Sequence, residues 1–304
     1  MYQVVYLNDK FKRKLYQLYM KKSLFFVAVL PLLLAVHTVR AQHFEVGALI
    51  GTSNYIGDLS LNSTKMYLKE SNFAGGMHLR YNMNPKVSFK LAANYVNISG
   101  TDENARIQEL RNRNLSFASS MFEGMFAVEV NIPGFQPYAL NQPFSPYLYA
   151  GVSLTQFTPQ AFYLDQWYDL QPLQTEGVSY SNTTFGIPFG LGVKFAVTDK
   201  FSIGLDFGAR YTFTDYLDDV SGHYADAEAM VAAGNLVGAA LSNRAGEFLG
   251  ADHPDIPSVN ELRGDTKLHD MYFVFGLTVS YHFLDNGLMR GRTRNRNKIG
   301  CQRF

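Results

Sequence analysis

The sequence predicts an all-β protein, an eight-stranded antiparallel transmembrane β-barrel with short periplasmic turns and long extracellular loops. The first observation is the alternation in residues 185–213, where apolar side chains occupy every odd position except Asp199, which lies in the turn, and mostly small, polar or charged residues occupy the even ones. A period of two indicates strands with two unlike faces. The odd face suits lipid, and the glycine-rich even face suits a narrow lumen.

The second observation is that this alternation recurs along the chain. Each repeat supplies about the 9–11 residues that a tilted strand needs to cross a membrane, the first only marginally. The predicted strands are 44–51, 73–82, 86–98, 115–130, 145–157, 184–197, 201–214 and 271–283.

The connections between these segments alternate in length, which is the third observation and is typical of outer-membrane barrels. The predicted periplasmic turns are 83–85, 131–144 and 198–200, and the predicted outer loops are 52–72, 99–114, 158–183 and 215–270. Within the last loop, an Ala-rich stretch at 225–241 favours a short helix.

The parity of each strand assigns its side chains to lipid or lumen. The predicted outward set is uncharged, as expected because a lipid-facing charge costs about 2–4 kcal/mol near the midplane. It comprises Phe44, Val46, Ala48, Ile50, Phe73, Met77, Leu79, Tyr81, Val87, Phe89, Leu91, Ala93, Tyr95, Phe122, Phe126, Val128, Val130, Leu148, Ala150, Val152, Leu154, the odd positions of 185–213 apart from the turn residue Asp199, Met271, Phe273, Phe275, Leu277, Val279, Tyr281 and Phe283.

The predicted lumen set contains four cations, four anions and two histidines. An eight-stranded barrel is just wide enough for side chains to fill, and buried charges of opposite sign should pair. We therefore expect a closed, salt-bridged lumen formed by Glu45, Arg80, Lys90, Glu123, Glu129, Lys194, Asp206 and Arg210, with His78 and His282 beside them.

The chain divides into three predicted regions. Residues 1–41 resemble a signal peptide, with Lys21 and Lys22 before an apolar run and a small-residue cleavage site ending at Ala41. Because Met20 directly precedes this basic pair, residues 1–19 are a candidate upstream extension of the start. Residues 42–284 form the predicted outer-membrane barrel, and 285–304 a basic periplasmic tail.

Charge is distributed unevenly between the barrel and the tail. Residues 42–284 carry 24 Asp and Glu against 14 Lys and Arg, whereas residues 285–304 carry six Lys and Arg against one Asp. Anionic lipid head groups or an acidic periplasmic protein fit the tail better than nucleic acid does, and a solvated tail is the alternative. The candidate partner-binding residues are Arg290, Arg292, Arg294, Arg296 and Lys298.

The single cysteine, Cys301, excludes an internal disulfide and is a candidate for pairing between molecules.

Three groups of residues are candidates for chemistry, each with a structural alternative. Ser280 and His282 share the lumen face of the last strand, as a nucleophile and its base would, but they also suit a polar lumen. The second group is Asp215, Asp218, Asp219 and His223. An oxygen-rich loop of this kind can bind calcium, and the alternative is that its side chains are solvated. The third group is Asp165, Asp169 and Glu176 beside Trp167 and Tyr168. Carboxylates beside aromatic rings can bind a sugar, and the alternative is that these residues only pack within the loop. No phosphate-binding loop or zinc motif occurs, so we expect no cofactor, no metal, no small-molecule substrate and no enzymatic activity.

Several strings, in their order and spacing, resemble one known family. They are Asn54-Tyr55-Ile56-Gly57-Asp58-Leu59, Arg80-Tyr81-Asn82-Met83-Asn84-Pro85, Arg113-Asn114-Leu115-Ser116-Phe117, Asp169-Leu170-Gln171-Pro172-Leu173, Thr175-Glu176-Gly177, Ile187-Pro188-Phe189-Gly190, Phe213-Thr214-Asp215-Tyr216-Leu217-Asp218-Asp219-Val220-Ser221-Gly222 and Asn243-Arg244-Ala245-Gly246-Glu247. Over most of residues 43–283 the chain resembles the PorG-like outer-membrane proteins of the type IX secretion system. The loop motif Asp215, Tyr216, Asp218 and Asp219 is its most specific part.

The resemblance implies an outer-membrane barrel associated with the periplasmic ring of PorK and PorN, in a machine that exports large cargo and supports gliding. It implies no catalytic residues, and it does not extend to the tail. The expected function is therefore a non-enzymatic anchor for that ring. The alternatives are a barrel enzyme acting on lipid or another cell-envelope substrate, and a small OmpA/OmpW-like porin.

Overall fold

A computed structural model describes residues 43–60, 70–136, 143–251, 253–265 and 269–283. The predicted signal segment 1–41, with its candidate extension 1–19, lies outside these residues. The tail 285–304, including Cys301, lies outside them as well.

Eight long strands form a closed antiparallel barrel, and a ninth short strand extends it. The strands are β1 His43–Ile56, β2 Asn72–Asn82, β3 Val87–Thr101, β4 Ser116–Asn131, β5 Phe144–Tyr163, β6 Gln166–Asp169, β7 Thr183–Ala196, β8 Phe201–Thr212 and β9 Met271–His282. Each barrel strand pairs with its neighbours in the chain, β1 pairs with β9 to close the ring, and β6 pairs only with the far end of β5. The predicted fold class is confirmed.

The two ends of the barrel differ. At the turn end, short connections join β2 to β3 and β7 to β8, and the segment 132–143 joins β4 to β5. At the loop end lie the longer connections, with four α-helices: α1 Gln108–Arg113, α2 Ala227–Ala232, α3 Leu236–Ser242 and α4 Ala245–Leu249. Among the described residues, no helix is long and apolar enough to cross a membrane.

Predictions of local structure differ from what forms at three places, and the first is β1, which runs to Ile56, beyond its predicted end at residue 51. The single helix expected over 225–241 is two helices, α2 and α3, because Gly234 between them adopts a positive φ of 83° that ends a right-handed helix. The predicted loop 158–183 begins with strand: β5 continues to Tyr163 and folds back as β6 through Leu164 and Asp165, both of which have positive φ.

The lipid-side face follows the predicted parity. Of the predicted outward side chains, Ala209 alone is buried. Its methyl group lies in register between Phe189 of β7 and Phe273 of β9, so the two larger rings cover it.

Glycines on the lumen face of β7 and β8 make room for two tyrosines of β5. A Cβ added at Gly192 would lie 2.4 Å from the Tyr147 ring, and one at Gly208 would lie 1.9 Å from the Tyr149 hydroxyl. The glycine-rich even face therefore accommodates aromatic side chains that lie over it from the adjacent strand β5.

Candidate functional site: the filled lumen and the capped mouth

The turn-end half of the lumen is filled by buried ion pairs. Arg80 of β2 contacts Glu45 of β1, and its Nε lies 3.1 Å from Glu129 Oε2 on β4. Lys194 of β7 reaches the other oxygen of Glu129. Because β2, β4 and β7 are not adjacent in the barrel, Glu129 joins three parts of the wall through the lumen.

A second ion pair spans the full width of the barrel. Lys90 Nζ of β3 lies 2.9 Å from Asp206 Oδ2 of β8, which is on the opposite wall. The same carboxylate accepts hydrogen bonds from the hydroxyls of Tyr147 and Tyr149 at 2.7 and 3.0 Å. Lys90 Nζ also lies 4.9 Å from the centre of the Tyr149 ring, within cation–π range.

A third group surrounds Glu123 on β4. Its carboxylate lies 3.2 Å from Arg210 Nε and accepts hydrogen bonds from Asn94 at 2.6 Å and from Tyr272 at 3.1 Å. The structure thus places all eight charged residues predicted for the lumen inside it, each of them buried and paired with an opposite charge.

The side chains of the candidate catalytic pair on β9 contact different strands, β2 and β8. Ser280 Oγ lies 3.0 Å from His78 Nε2 on β2, whereas His282 Nε2 lies 2.9 Å from Ser202 Oγ on β8. Arg80 Nη1 is also 3.0 Å from His78 Nε2 and 3.3 Å from Ser280 Oγ. A nitrogen that accepts a hydrogen bond from a guanidinium has no lone pair left to take the serine proton. This arrangement suits a polar lumen rather than an activated nucleophile.

Phe135 closes much of the turn end. It is buried, its amide donates to Pro85 O at 2.8 Å, and its ring lies 5.7 Å from that of His282. Lys194 Nζ lies 5.5 Å from the centre of the same ring. Phe135, in the described part of the β4–β5 connection, therefore packs beneath the ion pairs.

The loop-end half of the lumen is apolar and continues into the loops that cover the mouth. Buried wall residues, including Met121 and Phe157, form one cluster with residues from four connections. The loop residues of this cluster are Leu59, Leu115, Leu170, Leu217, Val220 and Leu241. We call the loop segments that carry them the cap.

Two buried arginines join the parts of the cap. Arg113, at the end of α1, makes a bidentate pair with Asp102 at 2.7 Å for both bonds and donates to the carbonyl of Asp58 at 3.0 Å. It also donates to the carbonyl of Arg263, so the first two connections at the loop end are tied to the last.

Arg263 and Glu176 form the second joint of the cap. Arg263 Nη1 lies 3.0 Å from Glu176 Oε1 and 2.6 Å from the carbonyl of Asp219, and Nε donates to Ser242 O at 3.1 Å. The Glu176 oxygens accept hydrogen bonds from the amides of Ser221 and Gly222 at 3.0 and 2.9 Å.

The three carboxylates that are candidates for sugar binding are not brought together. Glu176 lies within the cap, Asp165 lies in the β5–β6 turn, and Asp169 accepts a hydrogen bond from Gln160 at 2.7 Å.

The family-motif loop lies where the cap meets the barrel rim. Asp219 accepts hydrogen bonds from Thr175 and Tyr180, and the Tyr180 ring stacks on Tyr216 at 4.4 Å. Burial raises the pKa of Asp219 to about 6 although Arg263 acts to lower it. Burial likewise raises the pKa of Asp215 to about 7, and one of its carboxylate oxygens has no hydrogen-bond partner among the residues that the structure describes. Within the described part of the chain, no three His, Cys, Asp or Glu residues are grouped to hold a metal ion.

Five residues that organise the cap were not predicted from the sequence. They are Tyr55, Asp102, Arg113, Arg263 and Asp270, and all are buried. Each is an isolated polar residue in or beside a predicted loop, where solvation is the usual expectation. The candidate tail residues Arg290, Arg292, Arg294, Arg296 and Lys298 lie outside the described residues.

Comparison with known families places the chain in one of them. Residues 22–243 match the model of a domain of unknown function, DUF6089. The chain belongs to this family. No curated protein matches the sequence significantly.

The fold is similar to those of several solved outer-membrane proteins. Neisserial surface protein A is 13% identical, with 80% of this chain and 97% of that chain covered and a TM-score of 0.36. OprG from Pseudomonas aeruginosa is 11% identical, with coverages of 80% and 96% and a TM-score of 0.37. A major outer-membrane protein from Thermus thermophilus is 13% identical, with coverages of 80% and 100% and a TM-score of 0.37.

Proposed function

We propose that this protein is a non-enzymatic barrel of the outer membrane that anchors a periplasmic ring complex of the type IX secretion and gliding machinery. The observation that carries the proposal is the filled interior. Ion pairs cross the lumen from opposite walls, Phe135 packs beneath them, and the cap covers the mouth. A barrel built in this way offers its lipid-facing wall and its two ends for function.

The identity of the ring rests on the strings shared with PorG-like proteins, above all the Asp215–Gly222 loop. By that resemblance the partners are proteins like PorK and PorN. They would meet the barrel at its turn end and at the basic tail. The uncharged outward face suits lipid, so lipid is the second partner.

Affinity purification tests the anchor. The tagged protein is purified from detergent extracts of its native cells, beside a variant in which Arg290, Arg292, Arg294, Arg296 and Lys298 are all replaced by Gln. We expect the parent protein to bring down the ring proteins, and the variant to bring down less of them while accumulating to the same level. Recovery of the barrel alone, together with intact secretion in a deletion strain, would exclude the anchor.

Conductance separates the anchor from the porin alternative. The lumen network predicts negligible ion current when the purified barrel is inserted in a planar bilayer. The matched variant Tyr147→Ala/Tyr149→Ala removes two rings that project into the lumen beside Asp206, and it should conduct if the folded barrel persists. A stable open current from the parent would favour a small porin.

Lipid analysis addresses the enzyme alternative. The structure engages Ser280 with His78 and Arg80, so Ser280→Ala and His282→Ala should leave the lipid profile of intact cells unchanged. A change in one lipid class, seen with both variants, would support an enzyme.

A further inference from the structure

Three buried side chains join the cap to the rim of the barrel. The hydroxyl of Tyr55, near the end of β1, lies 2.7 Å from Asp218 Oδ2 and 2.6 Å from Asp270 Oδ1. Asp218 belongs to the long loop and Asp270 directly precedes β9, and each carboxyl-bearing residue is only 1% exposed. We call this group the Asp–Tyr–Asp latch.

The geometry of the latch requires two protons between its three oxygens. A phenol donates one hydrogen bond, and an ionised carboxylate only accepts. The remaining carboxyl oxygens are already acceptors, Asp218 Oδ1 from the amide of Val220 at 3.0 Å and Asp270 Oδ2 from that of Leu217 at 2.9 Å. The phenolic proton satisfies one of the short contacts with Tyr55, and the other contact needs a proton carried by a carboxyl group.

The backbone of Gly57 closes one side of the latch. A Cβ added at Gly57 would lie 1.8 Å from the Tyr55 hydroxyl and 2.1 Å from Asp270 Oδ1. The glycine backbone therefore lies directly against these oxygens.

Charges on the neighbouring segments act on the latch from three sides. Asp58 in the β1–β2 connection acts on both carboxyls, and Asp215 after β8 acts on Asp270. Arg113 of α1 is the facing cation, and it is engaged by Asp102. Burial, followed by the charge of Asp270, raises the pKa of Asp218 well above its ordinary value, and burial likewise raises that of Asp270.

We propose that the latch is a proton-binding site in which Asp218 and Asp270 share one proton at neutral pH, and that loss of this proton at alkaline pH releases residues 213–222 from the mouth of the barrel. Two carboxylates on one phenol then repel each other, and the buried side chains of Leu217 and Val220 lose their anchor. The inference concerns the opening of the cap and does not depend on which complex the barrel anchors.

Hydrogen exchange of the full-length protein in detergent tests the latch. Protection of residues 213–222 is measured by mass spectrometry from pH 6 to 10 and corrected for intrinsic exchange, with β3 as the internal reference. Release of one proton predicts that protection falls about tenfold per pH unit as pH rises from the ordinary carboxyl range to the pKa of the closed latch, and that it levels off above that pKa. Because Asp215 ionises nearby, the series is repeated with Asp215→Asn, which should leave the alkaline transition in place.

Amide substitutions give the decisive comparison. In Asp270→Asn or Asp218→Asn the amide nitrogen donates permanently where the protonated acid did, so each single variant should keep the cap closed without the alkaline transition. The double variant should be open at every pH, because an amide that turns its oxygen to the phenolic proton must turn its NH2 group against the backbone amide of Leu217 or Val220. Asp255→Asn, at an exposed aspartate of the same loop, should behave like the parent.

Two results would overturn the proposal. One is constant protection of residues 213–222 in the parent from pH 6 to 10. The other is that both single variants, with native protection in β3, either keep the parental transition or are open throughout.

Discussion

Replacing Glu129 with Gln removes the anion that lies between Arg80 and Lys194 in the lumen. The Glu129 side chain is fully buried and that of Lys194 is 2% exposed, so solvent cannot take over either charge. Arg80 keeps Glu45, whereas Lys194 loses the carboxylate that it contacts. Removing one partner of a buried pair costs about 3–5 kcal/mol, because the other charge stays buried and uncompensated.

The companion substitution Lys194→Met tests whether the cost arises from the uncompensated cation. In Glu129→Gln/Lys194→Met the lumen regains its balance of charge, and an apolar chain of similar length lies over the Tyr147 ring. We expect the double variant to recover most of the loss, since replacing both members of a buried pair is often close to neutral. The free energy of unfolding is measured by urea titration in lipid vesicles, followed by circular dichroism.

An exposed ion pair provides the matched control. Glu247→Gln makes the same change opposite Arg244, where the two groups lie 2.8 Å apart and the carboxylate is 40% exposed. It should cost at most about 1 kcal/mol. A Glu129→Gln variant as stable as the Glu247→Gln variant, or a double variant no more stable than Glu129→Gln, would refute the view that paired charges fill the lumen.

Of three further predictions, one concerns the packing of Tyr149 in the lumen and two concern the cap. Gly208→Ala should lower the free energy of unfolding by about 1–3 kcal/mol, because its Cβ would lie 1.9 Å from the Tyr149 hydroxyl; Gly124→Ala, whose nearest neighbour would be 4.0 Å away, is the control. Arg113→Lys keeps the charge but loses the bidentate pair with Asp102, so trypsin should cleave the cap faster while the strands stay protected. An unchanged cleavage rate would show that the Arg113–Asp102 pair does not hold the cap together. Folding of the cap raises the pKa of Asp215 from 3.8 to about 7, so the folded cap binds this proton more tightly than the unfolded chain does, and the stability of the cap should fall as pH rises across that window. Thermal unfolding of Asp215→Asn should show a flatter dependence on pH. A pH profile like that of the parent protein would contradict this prediction.

Alternation was enough to predict the barrel, because the side chains of a strand point to opposite faces regardless of what surrounds them. Once Phe185 and Phe207 were assigned to lipid, Lys194 and Asp206 had to face the lumen. Their burial then required partners of opposite charge. The partners themselves were not predictable: Lys90 meets Asp206 across the barrel because of how the whole ring closes.

The cap could not be predicted from the same pattern. Its residues are held by contacts between distant segments, such as Arg113 with the carbonyl of Arg263, and these contacts leave no periodic signal. Asp102, Arg263 and Asp270 resemble the solvated charges of ordinary loops until the fold buries them. The β5–β6 hairpin also departs from the prediction, because a strand that continues beyond the barrel carries polar residues such as Gln156 and Gln160 on its outer face.

The partners within the lumen are far apart along the chain, and this has a consequence for assembly. Lys90 and Asp206 are 116 residues apart, and Glu123 and Tyr272 are 149 apart. Contacts of such high sequence separation form late, since long stretches of chain must be ordered first. Until β1 meets β9, the future interior is an open, hydrated sheet face. Lys90 and Asp206 lie on opposite walls and meet only when the ring closes, so a barrel that fails to close leaves both of these charges facing water.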